Sequence, residues 1–253
     1  MLQYDLQRAR HALGLAPRVV ELRARRSRYP LIARPASTDF TVFGQTFISE
    51  PYACLDALED VELIVDCGAN VGFASAFLLS RFPQASLIAL EPDPENFEIL
   101  ERNLAPYGSR ARALLAGVWS KCTRLRIEET PYRGGGAWAR QVRECTPGES
   151  SDIEALDVPA ILRHAKRDRI SILKLDVEGS ECVVFAAPNL DSWLPRVDCL
   201  AVELHDDTHF GACTDVFSRA IAGRGFTVSR SRELTVCRTS ARSVPKMLSG
   251  RGR

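Results

Sequence analysis

Apolar residues along this chain fall into short continuous runs separated by amphipathic stretches. Runs of strand length occur at LIV (63–65), SLIAL (86–90), ARALLAGVW (111–119), ISILKL (170–175) and CLAVEL (199–204), and helical spacing occupies 71–81, 94–105, 180–190 and 212–224. Near-continuous apolar strands alternating with helices predict a mostly parallel sheet, because only cover on both faces removes the need for polar alternation. GFTVSRS and ELTVCRT, within 225–239, alternate β-branched and polar residues across a short join and predict an antiparallel hairpin at one edge. The expected architecture is a doubly wound α/β sheet of seven strands, spanning residues 61–240.

Three segments lie outside that rhythm. Residues 1–60 form an N-terminal extension with a proline-rich link, YPLIARPAS, and an expected strand at FTVFGQTFI. Residues 120–169 interrupt the alternation with RLRIEE, TPYRGGGAWARQ and a polar stretch, and long insertions of this kind in compact domains commonly serve as lids. Residues 241–253 form a basic tail, expected to be disordered.

Composition narrows the class. With 45% apolar and 26% charged residues the chain has the balance of a soluble globular protein, and its net charge of +1 supplies no bulk attraction for nucleic acid. Eight arginines between residues 8 and 34 face a single glutamate, which predicts either a solvated basic face or a docking surface. No window approaches the length of a membrane span, and the eight cysteines include no CxxC pair. Reduced thiols and a cytoplasmic location are the expectation. The oligomeric state is open, a homodimer included.

The chemistry begins at VDCGANVGFASAFL (65–78), where Gly68, Asn70 and Gly72 follow the first strand. A flexible turn at this place opens backbone amides toward the crevice beyond the strand ends, where such sheets bind ligands. Asn70 tolerates a left-handed backbone. Glu91 closes the second strand, placed to accept from both hydroxyls of a ribose, and Asp93 stands where it caps the next helix. Asp66, directly before the turn, would repel a pyrophosphate. It suits a ligand with a cationic centre, such as S-adenosylmethionine, which carries an ammonium and a sulfonium and no phosphate.

VDCGANVGFASAFL, ALEPDPENFEILERN, ILKLDVEGSE and VELHD, in that order, resemble the FkbM-type S-adenosylmethionine-dependent methyltransferases. The resemblance spans roughly residues 30–240 and implies the Rossmann-like class I methyltransferase fold. It further implies O-methylation of a sugar, polyketide or other small-molecule hydroxyl, with Asp66, Gly68, Asn70, Gly72 and Glu91 on the cofactor. On the resemblance alone, Glu50 and Tyr52 close over the cofactor from the N-terminal side.

Two further clusters sit at later strand ends. In KLDVEGSE, Lys174 and Asp176 share one strand face, with Glu178 and Glu181 in the following turn; in VELHDD, Glu203 and His205 share another. His205 is expected as general base, since an ordinary imidazole titrates near neutrality, with Asp176 orienting it or taking the proton directly. Glu178 and Glu203 complete the catalytic set, and Lys174 is assigned to the substrate together with Tyr132 and Trp138 of the glycine-rich insertion. Asp176, Glu178, Glu203 and His205 are also donors suited to Mg²⁺ or Ca²⁺, but no loop has metal spacing, so a metal is not favoured. A peptide or protein acceptor, and a nucleotide-binding enzyme of the same fold, are the alternatives.

Overall fold

A computed structural model describes residues 18–128 and 141–239. The chain opens with strands β1 (Val20–Leu22) and β2 (Leu31–Ala33), which pair with each other, and helix α1 (Asp39–Phe47). Then follow β3 (Leu63–Cys67), α2 (Phe73–Arg81), β4 (Ser86–Glu91), α3 (Pro94–Leu104), β5 (Ala111–Val118), β6 (Thr123–Ile127), β7 (Val142–Glu144), β8 (Ile153–Leu156) and α4 (Val158–Ala165). The remainder is β9 (Ile170–Leu175), α5 (Glu181–Phe185), α6 (Leu190–Trp193), β10 (Val197–Glu203), α7 (Cys213–Ile221), β11 (Phe226–Ser231) and β12 (Leu234–Thr239).

Among the described residues one ten-stranded sheet forms, in the order β11-β12-β10-β9-β3-β4-β5-β8-β6-β7. Neighbours from β10 to β8 run parallel, and β12 and β11 form the expected antiparallel hairpin. Every position of β3 is buried, as a strand covered on both faces requires. Ile64 packs toward α2 and α3, whereas Leu63, Val65 and Cys67 pack with Ile161 of α4, Phe185 of α5 and Phe217 of α7. Strand order reverses between β3 and β9, so the crevice at their carboxyl ends is the place for a ligand.

Three corrections to the expected elements follow from packing. The seven expected strands are all present, and three more come from the insertion: β8 pairs parallel with β5, and β6 bridges β8 and β7. Leu125, Val142, Ile153 and Ala155 bury themselves with Trp119, which gives this extension its own small core. FTVFGQTFI is a helix, not a strand. The residues Val42, Phe43 and Phe47 form a helical stripe; Phe43 and Phe47 lie 5.0 Å apart and reach Phe73 at 5.6 and 6.3 Å. A strand would send Val42 and Phe43 to opposite faces, so tertiary packing overrides the β-propensity of this segment. The expected helix over 180–190 divides into α5 and α6, because Pro188 between them supplies no amide and restricts its predecessor.

The N-terminal segment is tied to the sheet domain. Leu31, Ala33 and Leu55 belong to the same core as α2 and α3. The buried side chain of Asn103 holds both backbone groups of Ile32 (2.6 and 3.0 Å) and the carbonyl of Val71 (2.7 Å). One amide thereby fixes the entry strand and the turn after β3 together.

Candidate active site

The turn after β3 is tight for two separate reasons. Gly68 has φ +75°, and a Cβ there would lie 1.8 Å from the Asp176 carbonyl oxygen. Gly72 has φ +86°, and its Cβ would meet Leu100 of α3 at 2.7 Å. Both glycines therefore admit other parts of the protein, the chain leaving β9 and α3, and Gly68 also faces the cavity described below. Between them Asn70 adopts the left-handed conformation expected of it, at φ 51°. Its amide donates to Glu91 Oε2 at 2.7 Å.

Glu91 is buried at the end of β4, and its Oε1 accepts from the Asp93 amide at 3.0 Å. Burial pushes its carboxyl up to about 7, against the lowering effect of the Asp93 and Asn70 amides. The Asn96 side chain donates to it as well, and with three donors on a carboxylate one acceptor site remains for a hydroxyl. Asp93 itself is taken up as the cap of α3, accepting from the amides of Glu95 and Asn96 at 2.9 and 3.0 Å.

Asp66 is fully buried and faces a cation of the protein itself. It stands opposite Lys174 in the β3–β9 register, and the two are fully buried with Nζ 2.9 Å from the carboxylate. Ser75 donates to the other oxygen at 2.6 Å, and Lys174 also donates to the Gly68 carbonyl at 3.0 Å. Burial opposes the charge of Lys174, but Asp66, Tyr52 and Asp176 more than restore it, so the ammonium persists well above its ordinary range. The cation predicted for Asp66 is thus supplied by the protein, and Lys174, assigned to the substrate from the sequence, is half of a buried ion pair beneath the turn.

The turn after β9 carries the second cluster. Glu178 takes φ 52° and Gly179 φ 104°, where a Cβ would come within 2.4 Å of Thr208 Oγ1. A left-handed glutamate costs about 1 kcal/mol or more and persists where the surroundings over-determine it, often at functional sites. Glu181 folds back into this turn and accepts from the amides of Val177 and Gly179 at 2.7 and 2.8 Å. Its Oε1 lies 3.2 Å from His205 Nδ1, beyond the end of β10. The far nitrogen, Nε2, stands 3.7 Å from Glu178, 3.7 Å from Glu203 and 4.0 Å from Asp176. Burial disfavours the imidazolium, but Glu181, Asp176 and Glu178 outweigh it and raise His205 to about 9. Burial and Asp176 push Glu203 up to about 8. His205 therefore departs from the neutral imidazole expected of a general base.

These groups open into one cavity of about 240 Å³. Of the residues expected at the site, Tyr52, Gly68, Asn70, Glu91, Lys174, Asp176, Glu178, Glu203 and His205 line it. Asp66, Gly72 and Asp93 lie behind the wall, and Glu50 turns its carboxylate to Arg26 at 3.0 Å. Tyr132 and Trp138 lie outside the described residues, as does most of the glycine-rich stretch. Sequence reasoning missed the roof, Thr41, Val42, Gln45 and Thr46 of α1, because that segment was expected as a strand. It also missed Asn96, the wall formed by Ala116–Val118, and Glu233 at the hairpin turn. Among the described residues no helix is long and apolar enough to cross a membrane.

Glycine turn, terminal acid of β4 and acid–imidazole cluster thus meet at the strand reversal. A family model, the methyltransferase FkbM domain, matches residues 66–228, from the acid before the turn into the hairpin. The chain belongs to this family. Methyltransferase sdnD of Sordaria araneosa is 29% identical over 51% of this chain and 61% of its own length. Hexuronic acid methyltransferase AglP of Haloferax volcanii is 24% identical over 60% of the chain and 59% of its own length. The 31-O-demethyl-FK506 methyltransferase FkbM of Streptomyces tacrolimicus is 25% identical over 66% and 73%. The chain thus spans about three fifths of the length of the first two.

Proposed function

We propose that the protein transfers a methyl group from S-adenosylmethionine to a hydroxyl of a sugar or another small-molecule acceptor. The observation that carries this reading is the continuity of one cavity from the Asn70–Glu91 cradle to the Asp176, Glu203 and His205 edge. The cradle fits the donor: a carboxylate held at the cavity wall by two backbone amides suits a ribose hydroxyl. No lysine or arginine other than Lys174, already bound by Asp66, lines this cavity among the described residues, and His205 is ringed by acids, which favours a ligand without phosphate.

The donor supplies an electrophilic methyl on a sulfonium whose sulfur keeps the electrons of the broken C–S bond. The residues of this chain bind, orient and accept a proton. Helix α1 and Tyr52 line one side of the cavity, and water they displace when the ligands bind would strengthen the electrostatics inside. Glu203 and Asp176 are the cluster's more exposed acids, at 30% each, whereas Glu181 is fully buried. Glu203 takes the proton released by the acceptor hydroxyl, and Asp176 holds that hydroxyl in line. Two relatives are named for a 31-O-demethyl compound and for hexuronic acid, which supports oxygen as the methylated atom.

Calorimetric titration tests the donor. S-adenosylmethionine and S-adenosylhomocysteine should bind, NAD⁺ should not, and Glu91→Ala should weaken the first two at least tenfold. With an acceptor in hand, Glu203→Gln should slow turnover by about 10²–10⁴ while leaving donor affinity intact. Binding of NAD⁺ in preference to the methyl donor would overturn the reading.

A further inference from the structure

We propose that Asp176, Glu178 and His205 form a divalent-cation site on the acceptor side of the cavity. One ligand atom from each, two carboxylate oxygens and an imidazole nitrogen, lie within 4.8 Å of one another. All three residues line the cavity, and the His205 side chain is more than nine-tenths buried, with Glu178 close behind it. This is a mixed oxygen and nitrogen donor set gathered from two strand ends, unlike the scattered surface acids that need no ion.

A separate feature aims the imidazole. Glu181, outside the donor trio and fully buried, is anchored by the Val177 and Gly179 amides and engages His205 Nδ1. An imidazole whose Nδ1–H is held by a carboxylate presents Nε2 as the ligand atom, the arrangement that orients histidines at metal centres. Nε2 here is directed at the Asp176, Glu178 and Glu203 carboxylates. Three backbone choices serve that convergence: the left-handed Glu178, the Gly179 beside Thr208, and the return of Glu181 into its own turn.

A cation at this point offsets the like charges of Asp176, Glu178 and Glu203, which otherwise crowd one imidazole. With three protein ligands on one side, its open coordination positions face the cavity, where acceptor hydroxyls can be oriented. The donor set identifies the class of ion. Carboxylates alone suit Mg²⁺ and Ca²⁺, whereas an imidazole among them favours a first-row ion such as Mn²⁺. The binding stands on this geometry alone; its catalytic meaning rests on the function proposed above.

The test titrates the full chain with Mn²⁺, without methyl donor, following the loss of the free-ion signal by electron paramagnetic resonance. One Mn²⁺ should bind per chain, at least tenfold tighter than Ca²⁺. Asp176→Asn and His205→Gln should each weaken it at least 30-fold, and Glu91→Gln should leave it unchanged. Glu181→Gln should weaken it about 10- to 100-fold, as expected for a residue that positions a ligand. If His205→Gln does not fold, Glu178→Gln replaces it, with circular dichroism as the control. Absence of Mn²⁺ binding, or binding indifferent to these substitutions, overturns the site. Titration of the same samples with S-adenosylhomocysteine separates the two readings: donor binding without Mn²⁺ binding removes the metal site alone, and loss of both removes the proposed function as well.

Discussion

Lys174→Met tests whether the ion pair beneath the cavity holds the fold or serves a ligand. Asp66 and Lys174 are 0% and 2% exposed, sit opposite one another on β3 and β9, and meet at 2.9 Å. Methionine retains the apolar stem but leaves the Asp66 charge in a dry interior with only the Ser75 hydroxyl at 2.6 Å. Removing one partner of a buried pair costs about 3–5 kcal/mol. At about 2–4 °C per kcal/mol for a chain of this size, Tm should fall by roughly 6–20 °C. Asp66→Asn combined with Lys174→Met removes the stranded charge and keeps a partner for Ser75, so the double variant should recover at least half of the loss. Urea denaturation of wild type, both single variants and the double variant closes the cycle and yields the coupling directly. A loss below about 1 kcal/mol for Lys174→Met would refute the structural assignment. If that variant kept its stability but lost the acceptor, with methyl-donor binding intact, Lys174 would return to the substrate role expected from the sequence.

Two more predictions concern the cradle. Glu91 titrates at about 7 in the fold, above its ordinary value of 4.5, so ionising it is harder in the folded than in the unfolded chain. Its contribution to stability should therefore be complete at low pH and decline as pH rises from about 4.5 to about 7; Glu91→Gln should flatten that part of the Tm-versus-pH curve. Donor affinity should move the other way, strengthening through about 7 as the hydroxyl-accepting carboxylate forms, and a pH-independent affinity would remove Glu91 from the ribose. Gly68→Ala should cost roughly 3 kcal/mol or more, because its Cβ meets a backbone carbonyl at a left-handed φ. Gly72→Ala, which meets only the movable end of Leu100, should cost less; equal stability of Gly68→Ala and wild type in denaturant would contradict the packing described.

Much of this protein was legible along the chain because its signals are local. An apolar run such as LIV, bounded by polar punctuation, is a strand wherever it pairs, and Asp93 before Pro94 is a helix start in almost any context. The acids at the ends of β4, β9 and β10 were legible for the same reason, since the βα rhythm alone puts them at one sheet edge. What the chain order could not disclose was which partner each group would find. Asp66 and Lys174 are far apart in sequence, and only strand pairing shows that each is the other's counter-ion. The glycines of the turn proclaim a close approach, but that Gly68 is approached by the Asp176 carbonyl is visible only in the fold. The roof helix was mistaken for a strand because Val42, Phe43 and Phe47 fit either period until Phe73 and Phe77 decide which face is buried. The titration of His205 likewise follows from Glu181, Asp176 and Glu178 converging from the neighbouring strand end. Local propensity and spacing set the elements and their order; charge pairing, burial and the identity of the cavity wall are properties of distances that exist only once the sheet has closed.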